Sequence, residues 1–226
     1  MSEEWRKAES VLQRIEVIGT PDNTPVTING YAEGVHCIGI GTDAAVFTLD
    51  SMPEYAFKIY SELAAEKKSA EASVYEKLRG CPSFPVFYGE GDRYIVISYE
   101  KGITLMDCLL QGIPVPEQVI QDVEEARDFV RSKGLNPRDI HLKNVLLQNG
   151  RAKVLDVSEY VKEGDDKRWE HLVWAYHTFY SGFSEARMPS WVLDTIKNWY
   201  YRLDKANLNL EEFAQRVNQL FSRWIK

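Results

Sequence analysis

The spacing of apolar residues in this chain changes near residue 100, from the spacing of short strands to the spacing of helices. Before that point, β-rich runs such as "VHCIGIG", "AAVFTL", "YAFKIY" and "RYIVISY" are separated by Gly, Pro, Asn and Asp. One helix is predicted among them over about residues 62 to 79, because apolar residues recur there every four positions and Gly80 follows. The first hundred residues therefore predict a sheet of short strands with one long helix.

Helical periodicity dominates the rest of the chain. A helix is expected from Pro116 to Lys133, and a last helix is expected to begin at Asn209, whose side chain can cap it. Between these helices, "VLLQNG" and "AKVLDV" predict a β-hairpin that turns at Asn149 and Gly150. The second half is therefore mostly helical, with one small hairpin.

Together, the two halves predict an α+β fold with two lobes joined by a linker around "SYEKG". A β-rich N-lobe with one helix is expected over residues 1–100, and an α-helical C-lobe over residues 101–226. The extra N-terminal segment, residues 1–34, is expected to add a helix and strands that cover the N-lobe sheet. Asp165 or Asp166 is expected to cap an aromatic C-lobe helix, whose Trp and Tyr residues we interpret as packing.

Composition argues against several classes of partner and location. With 27 Lys+Arg and 34 Asp+Glu, the formal net charge is −7, which repels nucleic acid and anionic membranes. No run of about 18 apolar residues occurs, and the charged N-terminus does not resemble a secretion signal. The three cysteines, Cys37, Cys81 and Cys108, have no CxxC spacing. We therefore expect a cytoplasmic protein that binds neither nucleic acid nor membrane.

Candidate phosphate-binding groups lie in the N-lobe. Gly39 and Gly41 have GxG spacing between two predicted strands, which lets a backbone approach a phosphate, although a simple hairpin turn would look the same. Lys58 lies within an apolar strand, where its ammonium needs an anion unless the side chain extends to the surface. On the next helix, Glu71 shares the inward face and could supply that anion, with Glu66 as the rival.

A second polar group lies at the start of the predicted hairpin, in "LNPRDIHLKNVLL". Asp139 and Asn144 are five residues apart there, and Asp156 ends the next strand. Carboxylate and amide oxygens are hard ligands that suit Mg²⁺, whereas an additional carboxylate can orient or deprotonate a hydroxyl. Each acid alone could be a turn or cap residue. Their order after the glycines, Lys58 and Glu71 makes that explanation insufficient.

In this order, the motifs resemble the protein kinase superfamily over roughly residues 35 to 160. "GIGTDAAV" resembles the glycine-rich loop, with Ala44 in place of its third glycine, and "YAFK" resembles the strand that carries the lysine. "YIVISYEKGITLMDCL" resembles the last N-lobe strand, the hinge and the first C-lobe helix. The resemblance implies a bilobal protein-kinase-like fold, with Ile97 as the gatekeeper next to adenine.

The departures from conventional kinases indicate an atypical branch. "RDIHLKN" resembles the catalytic loop, with Pro137 where conventional kinases carry histidine and His141 where they carry lysine. "LDVSEYV" is similar to the metal loop of the RIO-type kinases. Few residues follow Asp156 and no APE motif occurs, so a long activation segment is not expected. The chain therefore resembles the small RIO and Bud32-like kinases, with a truncated α-helical C-lobe.

The resemblance implies an enzyme, an ATP- and Mg²⁺-dependent phosphotransferase, with an atypical serine/threonine protein kinase or ATPase as the leading interpretation. A small-molecule phosphotransferase and a nucleotide-binding pseudokinase that acts through a partner stay open as alternatives. The acceptor would carry a hydroxyl and could be a protein, but the sequence does not identify it. The oligomeric state cannot be inferred either.

The same resemblance implies a role for each candidate residue. Lys58, held by Glu71, would contact the ATP phosphates, and Asp139 would orient or deprotonate the attacking hydroxyl. Asn144 and Asp156 would hold Mg²⁺. The remaining contacts to ATP would come from the glycine backbone, from apolar walls and from the hinge backbone, at Gly39, Gly41, Val46, Ala56, Leu146, Ser98, Tyr99 and Glu100.

Overall fold

The computed structural model describes residues 3–22, 24–164, 166–202 and 209–224. Within them the chain has the predicted α+β fold, with most strands before residue 100 and most helices after it. The α-helices are α1 (Glu9–Leu12), α2 (Ala65–Lys77), α3 (Leu105–Gln111), α4 (Glu117–Ser132), α5 (Arg168–Phe179), α6 (Ser190–Arg202) and α7 (Leu210–Trp224). The strands are β1 (Glu16–Ile18), β2 (Thr27–Asn29), β3 (Val35–Ile40), β4 (Ala44–Leu49), β5 (Met52–Tyr60), β6 (Phe87–Glu90), β7 (Tyr94–Ser98), β8 (Ile103–Thr104), β9 (Val145–Gln148) and β10 (Arg151–Val154).

Five antiparallel strands form the main sheet, in the order β3-β4-β5-β7-β6. Alternation along the central strand β5 decides which side chains meet on each face. Phe57 and Ile59 lie on the outer face, where they pack with the N-terminal segment. Ala56 and Tyr60 lie on the inner face, in the large core shared with α2 and the C-terminal half. The same alternation places Lys58 on this inner face, between the two.

Helix α2 lies where the sequence predicts a helix. A short 3-10 turn at Glu62–Ala64 precedes it, and the helix packs against β6 and β7. Its inward face is defined by Glu71, Val74 and Tyr75, all of them buried. These residues lie three and four positions apart, so the spacing of one helical turn carries a glutamate into the core.

The N-terminal segment packs against the outer face of the main sheet. Trp5 is buried there and meets Tyr94 edge to face, with the ring centroids 6.3 Å apart. Strands β1 and β2 pair with each other as an antiparallel ribbon. Just before β2, the Val26 N–H donates to the carbonyl oxygen of Gly41 at 2.8 Å. The segment therefore also contacts the loop between β3 and β4.

The second half contains the predicted helix and hairpin. Helix α4 spans Glu117–Ser132, and Gly134 follows it with a φ of 71°. Strands β9 and β10 form the hairpin, and β8 adds a third strand. At the turn, Asn149 and Gly150 have φ values of 51° and 78°, as a two-residue type I′ turn requires. The hairpin lies against α4.

The last helices enclose a small apolar core of their own. Helix α7 begins after Asn209, whose Oδ1 accepts hydrogen bonds from the N–H groups of Glu211 and Glu212 at 3.1 and 3.2 Å, so the predicted cap is confirmed. The buried members of this core are Phe179, Met188, Val192, Phe213, Val217, Leu220 and Phe221.

Over the described ranges, no helix is both long and apolar enough to cross a membrane.

Candidate active site

Strand β5 and helix α2 bring Lys58 and Glu71 together inside the fold. The Lys58 ammonium lies 2.8 Å from each oxygen of the Glu71 carboxylate. Glu71 is completely buried, and 15% of the Lys58 side chain is exposed. Glu66, the rival partner, lies at the exposed start of α2. The expected ion pair is therefore present, and its carboxylate comes from Glu71.

Three hydrogen bonds converge on the Glu71 carboxylate, because the Tyr60 hydroxyl also donates to it at 2.7 Å. Burial raises the pKa of Glu71, and the Lys58 ammonium and these donors oppose that rise by stabilising the anion. For Lys58, burial would lower the pKa, but the carboxylates of Asp156 and Glu71 outweigh it and raise the pKa above its usual value. Each charge of the pair therefore stabilises the other.

Tyr60 was not among the predicted site residues, although alternation along β5 places it on the same face as Lys58. We expect Tyr60→Phe to lower the free energy of unfolding by about 2 kcal/mol, because it removes a hydrogen bond to a buried carboxylate. Urea unfolding of both proteins measures this loss. Tyr75→Phe is a matched control, since the Tyr75 hydroxyl donates to a neutral acceptor, the Leu155 carbonyl, at 2.6 Å.

The control should lose about 1 kcal/mol, as for a neutral hydrogen bond. If Tyr60→Phe lost no more than Tyr75→Phe, the Tyr60 hydroxyl would not stabilise the charge on Glu71.

Asp156 adds a third charged group beside the ion pair of Lys58 and Glu71. Its Oδ1 lies 3.6 Å from the Lys58 ammonium and accepts a hydrogen bond from the Ser158 N–H at 2.9 Å. Burial would raise the pKa of Asp156, but the charge of Lys58 and the Ser158 hydrogen bonds outweigh burial and lower the pKa. With its pKa lowered, this carboxylate is ionised at neutral pH, and because 43% of its side chain is exposed it is accessible to a cation.

The loop before β9 is held in shape by Asn144. Its side-chain amide donates to the carbonyl oxygen of Asp139 at 2.7 Å and accepts from the His141 N–H at 2.9 Å. Asp139 has a φ of 56°, in the left-handed region that few residues other than glycine adopt. Such backbone positions need support from their surroundings and are frequent at functional sites. The buried Asn144 supplies that support.

Two side chains, Arg168 and His141, lie next to the Asp139 carboxylate. Arg168, at the start of α5, donates a hydrogen bond to Asp139 Oδ1, and His141 Nε2 lies 3.8 Å from the same oxygen. Burial raises the pKa of the Asp139 carboxyl, and the charge of Arg168 opposes that rise. Burial also lowers the pKa of His141. About a third of the Asp139 side chain is exposed, so a ligand can reach it.

Asp166 links the start of α5 to the loop before β9 through two hydrogen bonds. One carboxylate oxygen accepts from the Asp139 N–H at 2.8 Å, and the other accepts from the Arg168 N–H at 3.0 Å. The N-cap position of α5 is Lys167, which makes no side-chain cap hydrogen bond, so the capping predicted for Asp165 or Asp166 comes from Asp166 one residue earlier. Asp165 lies outside the described residues. Arg168 itself was not predicted, because no motif near it indicates a contact with Asp139.

The predicted adenine walls lie on the inner face of the sheet and on β9. Ala56 on β5 pairs with Ile97 on β7, and both are buried. Val46 on β4 pairs with Lys58, which places it next to the ion pair. Leu146 on β9 is also buried. These side chains offer apolar surface, but whether adenine binds between them stays a prediction.

Two backbone N–H groups of the predicted hinge already donate hydrogen bonds within the protein. The Ser98 N–H donates to the Val86 carbonyl and the Tyr99 N–H to the Glu54 carbonyl, both at 2.8 Å. The Ser98 hydroxyl also donates to the Glu100 carboxylate at 2.5 Å. A ligand at this segment would therefore find the carbonyl groups and the Glu100 N–H, rather than the N–H groups of Ser98 and Tyr99.

Gly39 and Gly41 lie at the end of β3 and in the tight turn to β4. The Gly41 N–H donates to the Ala44 carbonyl at 2.8 Å, so the predicted alternative of a hairpin turn describes the local backbone. Neither glycine has a positive φ, and a Cβ on Gly39 would meet its nearest neighbour, Val46, at an ordinary 3.8 Å. Neither φ nor local packing therefore requires glycine at position 39, whereas a Cβ at position 41 would lie a tight 3.3 Å from the Ala44 carbonyl oxygen.

Comparison with known proteins gives two relatives, and no family model matches the chain. A Bacillus subtilis (strain 168) protein named "Putative serine/threonine-protein kinase YrzF" is 35% identical over 193 residues, which cover 82% of this chain and 86% of that protein. A Dictyostelium discoideum protein named "Probable serine/threonine-protein kinase fnkB" is 30% identical over 96 residues, which cover 38% of this chain and 18% of that protein. The first match therefore covers more than two thirds of both chains.

Proposed function

The chain belongs to the protein-kinase-like superfamily, and from this premise we propose that it is an ATP- and Mg²⁺-dependent serine/threonine protein kinase. The observation that carries the proposal is the connected set of Glu71, Lys58 and Asp156. A buried carboxylate orients the ammonium, and the ammonium in turn lies beside an accessible, ionised carboxylate. This arrangement suits phosphate and metal binding at one place.

The donors present fit a magnesium ion. Asp156 supplies an ionised carboxylate, and Asn144 supplies an amide oxygen that accepts one hydrogen bond from His141 and keeps a second lone pair. Two hard oxygen ligands of this kind, with phosphate oxygens and water, are what Mg²⁺ commonly uses. Bound there, Mg²⁺ would neutralise phosphate charge during transfer. Asn144 and Asp156 are therefore the residues that would hold it.

Lys58 would bind the ATP phosphates, because Tyr60 fixes its partner Glu71 and one side of the ammonium faces Asp156. The glycine backbone at Gly39 and Gly41 would lie over the phosphates. Adenine would lie between the apolar walls and meet the hinge at the Ser98 carbonyl and the Glu100 N–H.

Asp139 would orient the acceptor hydroxyl and take its proton as the bond to phosphorus forms. Its backbone is fixed by Asn144 and Asp166, and its carboxylate is oriented by Arg168. A carboxylate in a partly buried, positioned state can act on a hydroxyl without reorganising first.

We further propose that the chain belongs to the atypical RIO and Bud32-like branch and acts in the cytoplasm. The short turn in which Ser158 binds Asp156 supports the branch, because it replaces the usual metal loop. The three cysteines are unpaired, which suits a reducing compartment.

Transfer of the γ-phosphoryl group tests the proposal directly. Purified protein is incubated with γ-labelled ATP, Mg²⁺ and dephosphorylated casein, and label on protein is measured with and without EDTA. We expect Mg²⁺-dependent labelling of casein or of the chain itself, and none with EDTA. Neither labelling nor ATP hydrolysis, under conditions where the protein is folded, would contradict the kinase proposal and leave the pseudokinase alternative.

A further inference from the structure

A cavity of about 310 Å³ lies directly beside the catalytic loop, outside the ATP site proposed above. One wall comes from the loop itself, through His141, Leu142 and Lys143. The other walls come from helices α5 and α6 and the start of α7, with Trp174 and Tyr200 among the lining side chains. The cavity is therefore formed where the C-terminal helices pack next to the predicted catalytic residue.

Two lining residues connect this cavity to Asp139. Arg168 donates to the Asp139 carboxylate, and His141 Nε2 lies 3.8 Å from it. A group bound in the cavity would thus be separated from the reacting carboxylate by a single layer of side chains. This position suits the acceptor rather than the nucleotide.

The charged side chains that line the cavity are all basic, and one of them, Arg168, is paired with Asp139 and Asp166. Lys143, Arg168 and Lys197 line it, and no Asp or Glu does so among the residues the structure describes. Lys143 and Lys197 are exposed, and over the same described ranges neither forms an ion pair with a carboxylate. In a chain with a net charge of −7, this basic rim is a local exception. It complements an acidic ligand.

The interior of the cavity is apolar and aromatic. Leu172, Trp174 and Ala175 on α5 face Leu193 and Ile196 on α6. Each of these side chains is only partly buried, so apolar surface is left for a ligand to cover. The volume suits one large side chain rather than a whole cofactor.

We propose that this cavity binds the protein acceptor, as a segment in which one large apolar side chain is flanked by acidic residues. The inference rests on the proposed kinase function, and it specifies the acceptor. The apolar side chain would fill the cavity, the acids would pair with Lys143 and Lys197, and a nearby Ser or Thr would lie at Asp139. The hydroxyl oxygen bonds to the γ-phosphorus, the bond from that phosphorus to the bridging oxygen of ADP breaks, and the hydroxyl proton passes to Asp139.

Fluorescent peptides test this proposal without depending on catalysis. One peptide series carries a central Ser and, at varied distances, a Phe flanked by Asp residues. The matched series has Asn for Asp and Ala for Phe, and a third series has Lys for Asp. Binding is measured by anisotropy, and transfer from Mg·ATP to each peptide is measured separately.

We expect the Asp and Phe peptides to bind the parent about tenfold or more tightly than the matched series. Lys143→Glu combined with Lys197→Glu should abolish this preference and favour the Lys peptides instead. The matched control is Lys77→Glu combined with Lys133→Glu, since both lysines are exposed and lie outside the cavity. This control carries the same charge change and should keep the parental preference.

The outcomes separate this inference from the kinase proposal. Transfer to casein with no preference among the peptides, or a preference that survives charge reversal at Lys143 and Lys197, would overturn the cavity as an acceptor site. Binding of the Asp and Phe peptides without transfer to any protein would support the cavity and refute the kinase proposal.

Discussion

Lys58→Met should slow ATP turnover by about 10²-fold or more, because it removes the group that positions and neutralises the phosphates. The rate of ADP formation in the presence of Mg²⁺ measures the effect, with protein folding followed by thermal melting. Methionine keeps a long apolar side chain within β5, so the core around Ala56 and Tyr60 retains most of its packing. Turnover at the parental rate would reduce Lys58 to a structural strand residue.

Lys68→Met is the matched control for this experiment. Lys68 is also a buried lysine, on α2, and it binds Glu90 at 3.0 Å and the Gly91 carbonyl at 2.8 Å. It lies away from Asp156 and the catalytic loop. We expect the control to lose stability but to keep its turnover, which separates the loss of a buried ion pair from the loss of phosphate positioning.

Glu71→Gln tests whether Lys58 and Glu71 act as one unit in ATP turnover. Because Lys58 and Glu71 are joined by two hydrogen bonds, the effects of Lys58→Met and Glu71→Gln on turnover should not add in the double variant. Additive losses would mean that Glu71 acts on ATP turnover independently of Lys58.

Asp139→Asn should lower phosphoryl transfer by about 10²- to 10⁴-fold and leave Mg·ATP binding nearly intact. Asp156→Asn should weaken Mg·ATP binding itself, because it removes the carboxylate proposed to hold the metal. The two substitutions make the same chemical change, so each serves as the control for the other. Their contrast tests the separate roles assigned to the two aspartates.

Thermal melting with saturating Mg·ATP gives the binding readout. A ligand at a hundredfold excess over its dissociation constant stabilises the folded state by about 2.7 kcal/mol, or roughly 5 to 10 °C in Tm for a chain of this size. We expect that shift in the parent and in Asp139→Asn, and a much smaller one in Asp156→Asn. If Asp156→Asn kept the full shift, Asp156 would not be a metal ligand.

Local periodicity was sufficient to predict the central ion pair. Strand alternation placed Lys58 on the inner face, and the helical period placed Glu71 rather than Glu66 opposite it. Tyr60 follows from the same alternation, but a tyrosine in an apolar strand looks like ordinary core, so its hydrogen bond to Glu71 went unnoticed.

Contacts between distant segments could not be predicted in this way. Arg168 and Asp139 are separated by 29 residues, and their contact depends on how α5 packs after the hairpin. The hinge is a similar case, because only the fold shows that the N–H groups of Ser98 and Tyr99 already have acceptors. The support that Asn144 gives to the loop was also hidden, since residue type indicated a metal ligand and not two internal hydrogen bonds.

The three hydrogen bonds that converge on Glu71 have a consequence for inhibitor design. If α2 moved away from the sheet, Lys58 and Tyr60 would lose Glu71, the acceptor that they share. Breaking a buried ion pair of this kind costs about 3 to 5 kcal/mol. At that cost, an outward position of α2 would be adopted by less than about one molecule in a hundred. A compound that displaces the helix and lies behind Ile97 would lose that much affinity, whereas one that occupies the proposed adenine position with α2 in place would not.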